Sequence, residues 1–166
     1  QKQRLLKALE FSEEKNALLI VACSETKNIQ KELLPVVLRY LGACFMPLKT
    51  MLVAECWPRN IELMIISAKY GFVRALDPLP YYDERLIEEM IEEKQTLIEQ
   101  QVGTLDISCY ETCLVNLPKG YEKVVKSLKI LLKANKCQIT TVLGRLNERN
   151  DAMLKWLTKA DEKHAT

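Results

Sequence analysis

Ala17-Leu-Leu-Ile-Val-Ala-Cys23 is an unbroken apolar run that stops at Ser24, and Ile61-Glu-Leu-Met-Ile-Ile-Ser67 repeats the pattern with a single glutamate. Runs this short and this apolar offer no polar face to water. They suit strands buried on both faces of a parallel sheet. Two weaker candidates follow, Thr112-Cys-Leu-Val-Asn116 and Gln138-Ile-Thr-Thr-Val-Leu143. The segments between them carry helical patterns, so strands and helices alternate. That alternation predicts a three-layer α/β/α sandwich, Rossmann-like, with a mostly parallel sheet of at least four strands.

Periodicity places the helices. From Asp83 to Gln101, Leu86, Ile87, Met90, Ile91, Leu97 and Ile98 share one stripe opposite four glutamates, with Asp83 as the expected cap. Lys119 to Ala134 turns Tyr121, Val124, Val125, Leu128, Leu131 and Leu132 inward, and Asn147 to Ala160 packs Met153, Leu154, Trp156 and Leu157. Residues 2–14 read as a covering helix through Leu5, Leu6, Leu9 and Phe11, and Pro35, Gly42 and Pro47 interrupt the helical pieces between the first two strands. One domain over residues 1–160 and a polar tail at 161–166 are expected.

With 166 residues, 48% of them hydrophobic and 28% charged, the chain can bury a core without disulfides or metal. A net charge of +2 does not by itself imply a nucleic-acid partner. No apolar run approaches the roughly 20 residues of a membrane span, and the charged stretch Gln1 to Lys15 is not expected to act as a secretory leader. The six cysteines form no C-x-x-C pair, and the one histidine, His164, stands in the tail. Neither a metal, a disulfide nor a cofactor is expected, and free thiols suit a reducing cytoplasm. No G-x-G-x-x-G follows a strand, which argues against dinucleotide binding of the Rossmann type.

In an open parallel sheet, ligands bind beyond the carboxyl ends of the strands. Cys23-Ser24-Glu25-Thr26-Lys27 follows the first run, Ser67-Ala68-Lys69-Tyr70-Gly71 the second, and Gly144-Arg145 the fourth. Cys23, Ser24, Lys27, Lys69 and Asp83 are the candidate reacting groups; Ser67, Tyr70, Gly71, Tyr82, Gly144 and Arg145 are candidates for holding a substrate. With no histidine near this rim, a base would be Lys27, Lys69, Glu25, Asp83 or a tyrosine. Each residue also has a plain structural use: Cys23 as the end of a buried strand, Ser24 or Thr26 as a helix cap, Gly71 as a turn. Lys119, Lys123, Lys126, Lys129, Lys133 and Lys136 recur every three or four residues. They describe either a solvated helix face or a track for a nucleic-acid backbone, though no aromatic residues alternate with them to stack bases.

Four segments in order resemble an uncharacterised α/β domain family of bacteria and phages, whose members carry C-S-x-x-K, Y-x-G-x-x-F, S-A-K-[HY]-G and P-Y-D-x-x-L. They are Cys23-Ser24-Glu25-Thr26-Lys27, Tyr40-Leu41-Gly42-Ala43-Cys44-Phe45, Ser67-Ala68-Lys69-Tyr70-Gly71 and Tyr82-Asp83-Glu84-Arg85-Leu86, with Tyr81 where the pattern has proline. The resemblance covers about residues 17–90. More remotely, the first segment resembles the C-S-x-x-K-P-Y-S stretch of archaeosine synthase, which modifies a 7-deazaguanine base in tRNA. Asn28-Ile29 stand here in place of its Pro-Tyr. Together the resemblances imply a site for a nucleobase, nucleotide or modified nucleoside, either as an enzyme or as a non-catalytic nucleotide- or nucleic-acid-binding domain.

Overall fold

The computed structural model describes residues 6–10, 12–24, 26–84 and 87–165, with side chains described to residue 159. Strand β1, Ala17–Ala22, and strand β3, Ile61–Ser67, are buried along their whole length, as their composition requires. Between them lie the two-residue strand β2, Leu34–Pro35, and helices α1, Val36–Arg39, and α2, Phe45–Val53. After β3 come β4, Gly71–Arg74, β5, Pro78–Leu79, and helix α3, Ile91–Val102. The chain continues through β6, Thr112–Asn116, α4, Lys126–Ala134, β7, Gln138–Thr141, and α5, Leu146–Ala165.

The main sheet runs β4-β3-β1-β6-β7, parallel except at β4. Period-two alternation splits each central strand between two cores. Leu19, Val21, Leu63, Ile65 and Leu114 meet Phe45 and Leu48 of α2 and Met153 and Leu157 of α5. Leu18, Ile20, Met64, Ile66, Cys113 and Val115 meet Ile98 of α3 and Leu128 and Leu132 of α4. This is the three-layer sandwich, with Pro47 in the first turn of α2, where a missing amide proton costs nothing.

Several local expectations change. The expected helix from Asp83 begins instead at Ile91, after a 3₁₀ turn over Glu88–Met90. Asp83 therefore does not cap it. The side chain of Tyr82 is buried, and the extended segment that delivers it cannot be helical at the same time. Ile87, expected on the inner stripe, is exposed, while Leu86 lies outside the described residues. The helix expected from Lys119 starts at Lys126, after a 3₁₀ turn over Glu122–Val125, because Gly120 takes a left-handed φ of 99° that no right-handed helix can include. Leu131, expected inside, is exposed. Helix α5 continues into the segment expected as a tail, which has neither glycine nor proline to stop it. Of the expected N-terminal helix, residues 1–5 and Phe11 lie outside the description, while Leu6 and Leu9 pack on the first core. Strand β4 was not expected: Ser67 to Gly71 reverses the chain into an antiparallel edge strand, with Ser67 opposite Gly71.

Candidate functional site

The chain leaves β1 for β3 on one side and returns to β6 on the other, so the segments beyond β1 and β6 part at a topological switch point. That is where open α/β sheets place their ligands. Cys23 extends β1, its amide donating to the Ile66 carbonyl at 2.9 Å. Across the parting, Leu117-Pro118-Lys119-Gly120-Tyr121 leaves β6, and the Cys23 Sγ lies 3.8 Å from the Tyr121 hydroxyl.

The wall beside Cys23 is a network of buried hydroxyls. Tyr40 donates to the Ser67 Oγ at 3.2 Å, Tyr82 lies 3.0 Å from the same oxygen, and the two tyrosine hydroxyls also bond each other. The Ser67 Oγ further accepts the amides of Lys69 and Tyr70 at 3.3 and 3.1 Å, which shapes the S-A-K-Y-G hairpin. Gln101 of α3 clamps that hairpin, donating to the Tyr70 carbonyl at 2.9 Å and accepting the Phe72 amide at 2.7 Å. A Cβ on Gly71 would collide with this glutamine, and its φ of 75° already demands glycine. Gly42 is needed for a different reason: a Cβ there would stand 2.3 Å from the Cβ of Ser24. The Ser24 hydroxyl is committed to backbone, donating to Thr26 at 2.8 Å and accepting the Gly42 amide at 3.0 Å.

Cations stand over the aromatic part of this wall. Lys27 Nζ lies 4.7 Å from the Tyr82 ring centre and Lys69 Nζ 5.6 Å from that of Tyr70; the two rings meet edge to face at 5.5 Å. The loop that carries Lys27 is held by Arg39, which is fully buried. Its guanidinium donates to the carbonyls of Asn28 (2.6 Å), Gln30 (2.8 Å), Glu32 (2.6 Å) and Leu79 (2.9 and 3.2 Å). One side chain thus ties the segment after Lys27 to the strand just before Tyr82. Sequence reasoning passed over Arg39; the available signal was an arginine ending the apolar stretch Val36-Val37-Leu38.

The electrostatics oppose ionisation here. Burial pushes the Cys23 thiol up, and the neighbouring Tyr121 hydroxyl, Ala68 amide and Lys27 ammonium only partly offset it. Burial likewise raises Tyr40, and pushes Tyr82 up to about 12. Near neutral pH the wall is a set of protonated donors and acceptors.

Of the residues expected at the site, Cys23, Ser24, Lys27, Ser67, Tyr70, Gly71 and Tyr82 come together, while Lys69 stays exposed at their edge. Asp83 is exposed next to the buried Tyr82, and Glu25 lies outside the described residues. Gly144 and Arg145 follow the edge strand β7; Gly144 has a φ of 106° and Arg145 is exposed. The arginine that turns inward is Arg149, one helical turn later, bonding the buried Asn116 side chain at 2.8 Å. The six lysines do not share one helix face: Lys119 lies in a loop, Lys123 in the 3₁₀ turn, and Lys136 beyond α4 with a φ of 64°. Lys129 bonds the Thr141 hydroxyl at 3.1 Å.

A cleft of about 290 Å³ lies beside the switch point, lined among the described residues by Ile87, Glu88, Ile91, Lys119, Gly120, Tyr121 and Lys123. It meets the wall through Tyr121, whose hydroxyl lies against the Cys23 thiol. Sequence reasoning missed Gly120 and Tyr121 as site residues, because it drew its candidates from the segments after the first, second and fourth apolar runs and left out the third. Among the described residues, no three His, Cys, Asp or Glu side chains gather as a metal would need, and no helix is long and apolar enough to cross a membrane.

No family model and no curated protein matches the chain. Among solved structures, the crystal structure of AF0587, a protein of unknown function, is similar at 14% identity with a TM-score of 0.50. The match covers 93% of this chain and 48% of that one, so the chain spans about half of its structural neighbour. At this identity the likeness speaks for the fold alone.

Proposed function

We propose that the protein binds a nucleobase, nucleotide or modified nucleoside at the carboxyl ends of β1, β3 and β6. The observation that carries this reading is convergence: C-S-x-x-K, Y-x-G, S-A-K-Y-G and Tyr82 meet in one bonded wall, which the Cys23–Tyr121 contact joins to the switch-point cleft. The cleft supplies an aromatic ring, two isoleucines and three charged groups, a mixture suited to a planar polar molecule. Recognition accounts for the wall better than nucleophilic catalysis does. The hydroxyls of Ser24 and Ser67 are already bonded, and burial keeps the Cys23 thiol protonated.

One observation favours the catalytic alternative: Tyr121, the Ala68 amide and Lys27 all favour a thiolate at Cys23, so a ligand that brought its own base would find it partly stabilised. Titration calorimetry against nucleobases, nucleosides and nucleotides tests both. Tyr121→Ala is expected to weaken binding at least about tenfold, the loss of one stacking ring. Cys23→Ala should bind normally if the site only recognises its ligand, and turnover that vanishes in Cys23→Ala would establish catalysis instead. If none of these compounds binds, the reading fails.

A further inference from the structure

We propose that the ligand of the switch-point cleft is a nucleoside monophosphate, its phosphate held between Lys119 and Lys123. The inference rests on the nucleotide reading above and narrows it.

Only these two of the six lysines in the run line the cleft, and both are exposed. Among the described lining residues they share the cleft with one carboxylate, Glu88, so two positive groups stand against one negative. A bare nucleobase or nucleoside is neutral near pH 7 and would leave that excess charge without an anionic partner. A phosphate monoester carries about −1.5 to −2 at that pH and three acceptor oxygens. Between the lysines, Gly120 holds a left-handed φ of 99°, and among the described residues no heavy atom beyond its two chain neighbours lies within 4 Å of where its Cβ would stand. That open space lets a ligand approach the backbone closely. Tyr121 follows at once, so the anion-binding and aromatic elements are adjacent in the chain. Ile87 and Ile91 give the apolar wall on which a ring can lie.

The charge also has a position that the rest of the run lacks. Lys126 opens α4 outside the cleft lining, Lys129 is engaged with Thr141, and Lys133 and Lys136 lie at and beyond the far end of α4. The periodicity that suggested a nucleic-acid track therefore separates into an outer surface and a cleft pair.

The test is calorimetry of the full chain with AMP, GMP, CMP and UMP, the four matching nucleosides, and inorganic phosphate. At least one monophosphate should bind about 10- to 100-fold more tightly than its nucleoside, the range of one or two hydrogen bonds to a charged group. That advantage should shrink as salt rises. The double variant Lys119→Gln/Lys123→Gln, with an unchanged circular dichroism spectrum, should reduce the affinity for the monophosphate to that of its nucleoside. A nucleoside bound as tightly as its monophosphate would overturn this inference and leave the nucleotide-type site standing. So would a double variant that keeps the phosphate advantage. Inorganic phosphate bound as tightly as any monophosphate would overturn the nucleotide reading while keeping an anion site at the lysines. No binding of any probe would overturn both.

Discussion

The two ends of the central sheet bury different polar groups. At the carboxyl end, neutral hydroxyls of Tyr40, Ser67 and Tyr82 bond one another inside, the buried cations Arg39 and Lys94 are spent on backbone carbonyls, and Lys27 and Lys69 stay at or near the surface. At the amino end a carboxylate is inside as well. Glu62 accepts the Tyr110 hydroxyl and faces Arg74 at 3.7 Å, while Lys15, almost fully buried, donates to the Ala8 and Ile61 carbonyls at 2.9 Å each. The amino end also has a cavity of about 500 Å³, larger than the cleft, lined in part by Lys15, Trp57 and Arg59. Size alone would not choose the cleft. The state of the polar groups does, because a lysine already bonded to two carbonyls has little left to offer a ligand, whereas Lys119 and Lys123 are exposed where a ligand can reach them.

The largest effect should come from Arg39→Met. It removes a donor group serving five contacts, two of them to the buried Leu79 carbonyl, so a loss of about 3 kcal/mol in urea unfolding is expected. A loss below about 1 kcal/mol would mean that the wall does not depend on this tie. Next, Glu62→Leu strands the Tyr110 hydroxyl in the core and should cost about 1–3 kcal/mol. That cost should exceed the effect of Tyr82→Phe, about 1 kcal/mol, since the Tyr40–Ser67 bond persists without the Tyr82 hydroxyl. If Tyr82→Phe proved the costlier of the two, the contrast between the buried carboxylate and the buried hydroxyls would be broken.

A pH profile sharpens the comparison further. Burial pushes Lys15 down from 10.5 to about 8, against the pull of Glu62 and Glu14. Below pH 8 both folded and unfolded states hold the proton and the folded state bears the cost of the buried charge. Above it the folded chain has released a proton that the unfolded chain still binds, so stability rises with pH. The stability of the native chain relative to Lys15→Met should therefore increase between about pH 8 and 10, and a flat difference would contradict the burial argument. Smallest of all, Lys123→Gln should change stability by less than about 0.5 kcal/mol, as expected for an exposed side chain, whatever it does to binding.

How far the sequence was legible differs between fold and site. Leu18 to Val21 and Leu63 to Ile66 are apolar on consecutive positions, a pattern only double-sided burial satisfies, and both strands stand where that pattern put them. The start of α3 was misread because Asp83 is a good cap locally, while the burial of Tyr82 a residue earlier is a long-range demand that no window shows. Gly71 reads as a turn and Gly42 as a helix breaker, yet one is required by its φ and the other by the approach of Ser24.

The apolar runs by themselves determined the layered α/β architecture and the end of the sheet where polar residues collect, because burial on both faces is a demand each run makes alone. Strand order is not written in any run. It was the placement of β6 beside β1, with β3 on the other flank, that set Tyr121 against Cys23 across 98 positions. Such a meeting depends on how whole elements pack against one another, and local periodicity carries no record of it.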